Sequence, residues 1–188
     1  VVVAAAGGAV LAVAQGVTPR AVIGDFDSLS DQVRAALPDS VLHPMTGQDN
    51  TDFDKALQAI ASPLVLAVGF TGGRIDHQLA ALHVLAAHAP GRCIIIGAEE
   101  VIFHVPSQIT LDVAAGDTVS LFPMGQVQGR STGLVWPIDG LVFDPMRFVG
   151  TSNCAEGPVQ LWMTGPGMLC IAPRRILPAL IARLLARD

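Results

Sequence analysis

The chain has 188 residues, of which 51% are apolar and only 14% charged, and carries a net charge of −5. That is enough for one large domain or two small ones with a sizeable core, and it excludes a disordered chain. The negative balance and the lack of any Lys/Arg run exclude a nucleic-acid surface. No apolar run has the length of a bilayer span and no signal peptide is evident, so no membrane partner is expected. Cys93, Cys154 and Cys170 lack C-x-x-C spacing and read as reduced packing cysteines of a cytoplasmic protein.

The chain opens on Val1-Val2-Val3, strand-like and without an initiator Met, and a first βα unit is expected to be missing. Residues 1–5 read as a strand, and Gly7-Gly8 as a turn into a helix to about Gln15, closed by Gly16 with Pro19 beyond. Residues 21–23 form the next strand, and Ser30 caps a short helix before Pro38. A third strand covers residues 40–43. Thr51 then caps a helix whose apolar stripe is Phe53, Ala56, Leu57, Ile60 and Ala61, with Asp52 and Lys55 off that stripe. A fourth strand at 64–68 leads to Gly72-Gly73, and a helix at about 76–88 is expected to bury Leu79, Leu82 and Leu85. Residues 93–96 form a further buried strand.

Near Gly97 the pattern changes. Short apolar runs at 101–105, 108–111, 118–122, 134–136, 141–143, 159–163 and 168–171 alternate with Gly and Pro, the signature of an antiparallel sandwich or barrel. An amphipathic helix built on Leu177, Leu180, Ile181, Leu184 and Leu185 closes the chain. The expected division is therefore an α/β part with a parallel, Rossmann-like sheet over residues 1–98, and an all-β part with a C-terminal helix over 99–188.

Three acidic clusters follow predicted strands: Gly24-Asp25-Phe26-Asp27-Ser28, Gln48-Asp49-Asn50-Thr51-Asp52, and Gly72-Gly73-Arg74-Ile75-Asp76-His77. Loops after parallel strands emerge at one edge, so Asp25, Asp27, Asp49, Asp52 and Asp76 are expected on one rim. Crowded carboxylates repel unless a cation compensates. Hard oxygen ligands without a Cys or His pair favour Mg²⁺ shared with substrate phosphates. In an extended segment Asp25 and Asp27 point the same way; the alternative is a polar loop with an Asx turn. Asp49 and Asp52 either hold metal or stabilise a helix N-terminus, and Lys55 pairs with acids or holds a phosphate. Gly72-Gly73 offers amides to an anion and Arg74 a guanidinium fork. His77 is a proton carrier or an ordinary capping histidine. In the second half, residues 131–137 and 150–153 are polar patches around Trp136, which stacks on a flat or cationic ring or else sits in the core.

Together, Gly24-Asp-Phe-Asp-Ser28, Asp49-Asn-Thr-Asp52 with Lys55, Gly72-Gly-Arg-Ile-Asp-His77, Ser131-Thr-Gly-Leu-x-Trp136 and Gly150-Thr-Ser-Asn153 resemble the thiamine pyrophosphokinase family. The resemblance implies an α/β domain followed by a β-sandwich, and a homodimer with the thiamine pocket at its interface. It implies Mg²⁺-dependent transfer of a pyrophosphoryl group from ATP to the thiamine hydroxyl, giving thiamine diphosphate and AMP. Asp25, Asp27 and Asp49 are then metal ligands, with Asp52 and Asp76 as further catalytic acids; Asp27 or Asp76 accepts the hydroxyl proton. Lys55, Gly72, Gly73, Arg74 and His77 serve ATP, and Ser131, Thr132, Trp136, Ser152 and Asn153 line the thiamine pocket. The sequence departs from the family at Ala6, which stands where the family carries an aspartate. The rival readings are a Mg²⁺-dependent nucleotide pyrophosphohydrolase and a non-catalytic nucleotide- or thiamine-binding homologue.

Overall fold

The computed structural model describes residues 1–27, 29–45, 47 and 50–186. They fall into two compact units, Val1–Ser62 and Pro63–Asp188.

In the first unit, short apolar strands β1 (Val3–Ala5), β2 (Ala21–Gly24) and β3 (Leu42–Pro44) form a parallel sheet in the order β1-β2-β3. Helices α1 (Gly8–Ala14), α2 (Asp31–Ala35) and α3 (Asp52–Ala59) connect and cover them. The expected punctuation is present. Gly16 takes φ 68° after α1, where a left-handed residue commonly closes a helix. The Ser30 hydroxyl accepts from the Val33 N–H at 3.4 Å, and the Thr51 hydroxyl from the Asp54 N–H at 3.3 Å, so both helices have side-chain N-caps. Helix α3 buries Phe53, Ala56 and Leu57, as its spacing predicts. Lys55, expected off the apolar stripe, is buried as well, at 5% exposure.

The second unit holds β4 (Val65–Val68), α4 (Ile75–Ala87), β5 (Cys93–Ile96), β6 (Glu100–His104), β7 (Gln108–Leu111), β8 (Thr118–Pro123), β9 (Val127–Leu134), β10 (Val142–Phe143), β11 (Gly150–Met163), β12 (Met168–Pro173) and α5 (Leu177–Leu185). One nine-stranded sheet runs β10-β9-β11-β8-β12-β6-β5-β4, with β7 added to β11. Among the described residues of this sheet, only β4 and β5 pair in parallel; every other ladder is antiparallel. A small parallel sheet with helices followed by a large, mostly antiparallel sheet is thus the architecture. The change of pattern near Gly97 is the tight turn between β5 and β6, closed by the Gly97 N–H to Glu100 C=O bond at 2.8 Å. Both strands belong to the same compact unit.

The core of the second unit comes from inward residues of β6, β8, β9, β11 and β12, among them Phe103, Leu121, Leu134, Leu161 and Met168. Leu180 and Leu184 of α5 join it, which accounts for the amphipathic spacing of that helix. His104 is buried with both ring nitrogens engaged: Nδ1 lies 2.9 Å from the His88 carbonyl, and Nε2 accepts from the Gly167 N–H at 2.7 Å. Burial lowers its pKa. On α4, Leu85 is buried as expected, but Leu79 is 61% exposed: the helix is apolar almost all round, so its spacing did not single out one face. Among the described residues, no helix is long and apolar enough to cross a membrane.

Candidate active site

In the first unit, the acidic loop leaves the carboxyl end of β2. Gly24 ends that strand at φ 147°, and Phe26 takes a left-handed φ of 65°. The segment is therefore not extended, and the two aspartates converge for another reason: the Asp27 N–H donates to Asp25 Oδ1 at 3.3 Å, an Asx turn. The Asp27 side chain, and then its backbone N–H, hydrogen-bond the Asp25 carboxyl and hold it below the ordinary aspartate range. Asp25 and Asp27 are both exposed, so the pair faces solvent with its oxygens together.

Asp52 meets this loop from α3. A Cβ on Gly24 would lie 2.7 Å from Asp52 Oδ1 and 2.8 Å from the Ala6 Cβ, so only glycine admits the carboxylate this close to β2. Ala6, at 1% exposure, forms the other wall of that slot. Lys55 Nζ sits 3.4 Å from Asp52 Oδ1. Of the two roles open to Lys55, the structure shows it paired with an acid. Asp49, expected as a third metal ligand, lies outside the described residues, as does Ser28.

The third cluster belongs to the second unit. Gly72 and Gly73 take φ 78° and 68°, and the Gly72 N–H donates to Gln78 Oε1 at 3.2 Å, which folds the turn back on the start of α4. Arg74 grips Asp76 with both arms of its fork, Nε to Oδ1 at 3.1 Å and an Nη to Oδ2 at 2.5 Å. The guanidinium depresses the Asp76 carboxyl to about 2. His77 is exposed at the same helix start. Replacing Arg74 with Gln should let the Asp76 titration, followed by carbon-detected NMR, climb back toward 3.8. A midpoint that stays near 2 would show that the helix terminus, rather than Arg74, sets it.

The fourth and fifth motifs meet at the end of β9 and the start of β11. Trp136 is 60% exposed, which removes it from the core. Its main chain is clamped by Asn153: Oδ1 accepts from the Trp136 N–H at 3.3 Å, and Nδ2 donates to the Trp136 carbonyl at 2.7 Å. Ser131 is buried and holds the loop before Ile138, its hydroxyl accepting the Ile138 N–H at 3.1 Å and its own N–H bonding Asp139 Oδ2 at 3.2 Å. Thr132 and Ser152 are exposed. Asn153 and Ser131 thus act on the protein's own backbone and leave the indole exposed. Sequence reasoning missed Asp139 and Ser120, whose hydroxyl accepts the Ser152 N–H at 2.9 Å. Each is a lone polar residue, with no spacing signal to mark it.

Magnesium would need oxygen donors alone. Among the described residues, no group of three or more His, Cys, Asp or Glu is placed to hold a metal. A cation that takes one or two carboxylates and completes its shell with water and phosphate still fits the Asp25–Asp27 pair.

The chain is similar to known proteins. The family model described as thiamin pyrophosphokinase, catalytic domain, matches residues 1–96. Thiamine pyrophosphokinase 1 of Oryza sativa subsp. japonica is 26% identical over 157 residues, covering 73% of this chain and 60% of the relative. Thiamine pyrophosphokinase 1 of Arabidopsis thaliana is 28% identical over 168 residues, covering 78% and 62%. The match therefore spans less than two thirds of these plant relatives. The fold is shared with solved structures: thiamin pyrophosphokinase from Candida albicans, at TM-score 0.75, 15% identity and coverage of 92% and 82%, and that from Geobacillus thermodenitrificans, at TM-score 0.70, 24% identity and coverage of 91% and 84%. With a family model matched over half its length, the chain belongs to the thiamin pyrophosphokinase family.

Proposed function

We propose that this protein transfers a pyrophosphoryl group from ATP to the hydroxyl of thiamine, forming thiamine diphosphate and AMP. The observation that carries the reading is the Asp25–Asp27 pair at the carboxyl end of β2, inside the segment the family model matches. In this reading the parallel sheet is Rossmann-like, with its ligand edge at the strands' carboxyl ends.

Displacement at the β-phosphorus of ATP depends mainly on position and charge neutralisation. Asp25, Asp27 and Asp49 would hold Mg²⁺, which supplies charge neutralisation on the phosphates. Lys55 and Arg74 are the cations assigned to the nucleotide, each set in place by an aspartate, Asp52 and Asp76. Gly72, Gly73 and His77 complete the ATP-side assignment. Asp27 or Asp76 accepts the proton of the attacking hydroxyl; a carboxyl depressed to about 2 is a weak base, which favours Asp27. On the thiamine side, Trp136 supplies the stacking face, Thr132 and Ser152 flank it, and Ser131 and Asn153 hold it. Exposed apolar residues Val135, Trp136, Leu141, Met146 and Phe148 gather in the same part of the chain, which supports a homodimer with the thiamine pocket at its interface. The thiols of Cys93, Cys154 and Cys170 are free, in keeping with a reducing, cytoplasmic setting.

The direct test is AMP release from ATP with and without thiamine: release that requires thiamine supports the reading, and thiamine-independent release overturns it. Trp136→Ala should raise the Michaelis constant for thiamine on the order of tenfold, the loss of a stacking contact plus its apolar area, and leave that for ATP unchanged. Because the indole is largely exposed, the melting temperature should barely move. A large melting loss with unchanged thiamine kinetics would return Trp136 to a packing role.

A further inference from the structure

Strand β11 does not pair evenly with β8. Gly150 faces Leu121 and Asn153 faces Val119, so three steps on β11 meet two on β8. This is a β-bulge, and Ser152 within it takes φ 62°, left-handed for a residue with a Cβ. A slip of one residue turns every following side chain to the opposite face of a strand. The bulge therefore decides which face Asn153 presents, and it presents its amide to the Trp136 main chain. The bulge also takes the Ser152 N–H out of the ladder, and Ser120 Oγ on β8 receives that N–H at 2.9 Å. Asn153 is pinned in turn by the Cys154 N–H, which donates to the same Oδ1 at 2.8 Å.

We propose that Ser120 is a positioning residue for the thiamine-facing indole: it holds Ser152 in its left-handed conformation, so that the bulge aims Asn153 at Trp136. The chain of contacts is Ser120 to the Ser152 backbone, directly on to the adjacent Asn153, and from the Asn153 amide to both polar groups of the Trp136 peptide. Ser120 touches no ligand; it acts through the backbone of its neighbour.

The kinetic half of the test rests on the thiamine reading, whereas the fluorescence half does not. The chain holds two tryptophans, so Trp162→Phe in the full-length protein leaves Trp136 as the only indole emitter. In that background, Ser120→Ala and, separately, Asn153→Ala should lower the anisotropy of Trp136 and raise its quenching by acrylamide, with the melting temperature nearly unchanged. Ser120→Thr, which keeps the hydroxyl, should restore both. The Michaelis constant for thiamine should rise about fivefold in Ser120→Ala, as expected for one lost neutral hydrogen bond, and that for ATP should not rise. Unchanged Trp136 anisotropy and quenching in Ser120→Ala would overturn the proposal, and so would altered anisotropy with an unmoved thiamine constant. If the parent protein shows no thiamine-dependent turnover, the functional reading fails, and the fluorescence comparison still decides whether Ser120 sets the indole.

Discussion

Asp27→Asn should lower turnover by about 10²–10³, the usual loss when one preorganised electrostatic contact is removed from a reacting centre. The fold should survive, because asparagine keeps the size, the backbone N–H that donates to Asp25 and a side-chain donor in place of the carboxyl. What disappears is one negative oxygen of the pair that faces solvent at the end of β2. Two further consequences make the result specific. Asp25 keeps both hydrogen-bond donors that depress its carboxyl, the backbone N–H and now an amide, so its titration should stay below the ordinary aspartate range. The Mg²⁺ concentration for half-maximal activity should rise. Turnover close to that of the parent at saturating Mg²⁺ would exclude Asp27 as both ligand and base.

Gly133→Ala should cost the second unit about 2–5 kcal/mol, combining overpacking with a left-handed backbone that β-carbon residues resist. Gly133 takes φ 79°, and a Cβ there would lie 2.3 Å from the Pro158 carbonyl oxygen. That oxygen belongs to the backbone of β11, so relief requires β9 and β11 to separate. At this size a loss of 1 kcal/mol shifts melting by about 2–4 °C, and the melting temperature should fall by roughly 5–15 °C. A change below about 2 °C would mean the two strands part at little cost and the register there is loosely held.

The features legible in the sequence were those set by neighbours along the chain. Ser30 and Thr51 cap their helices because an N-cap is a contact over three residues, and the glycine turn before α4 is local in the same sense. Strand β9 was largely invisible before Leu134. Its inward positions alternate properly, but two of them are Gly129 and Ser131 rather than apolar residues, and the pattern registers hydrophobicity, not direction. Lys55 was placed off the apolar stripe of α3, whereas the structure buries it with its ammonium on Asp52. The acidic pair was found for an incomplete reason: the aspartates converge through a left-handed Phe26 and an Asx turn, not through strand alternation. The Asn153 clamp and its support from Ser120 depend on a bulge between strands far apart in sequence, and nothing local marks a register shift.

Strand β11 is the common partner of three others. Its first residues pair with β8, while its last pair with β7 on one side and β9 on the other, as far back as Gln108 opposite Trp162. Such ladders close long loops before any hydrogen bond rewards them, which makes their assembly slow and their loss collective. A chain emerging from synthesis holds β7 and β8 for some time with no strand to join them, and β9 with only β10. Until β11 arrives, Trp136 has no clamp and the sheet has no centre. A ligand that stacks on the clamped Trp136 can then stabilise only the finished fold, because the Asn153 side of that clamp comes from β11.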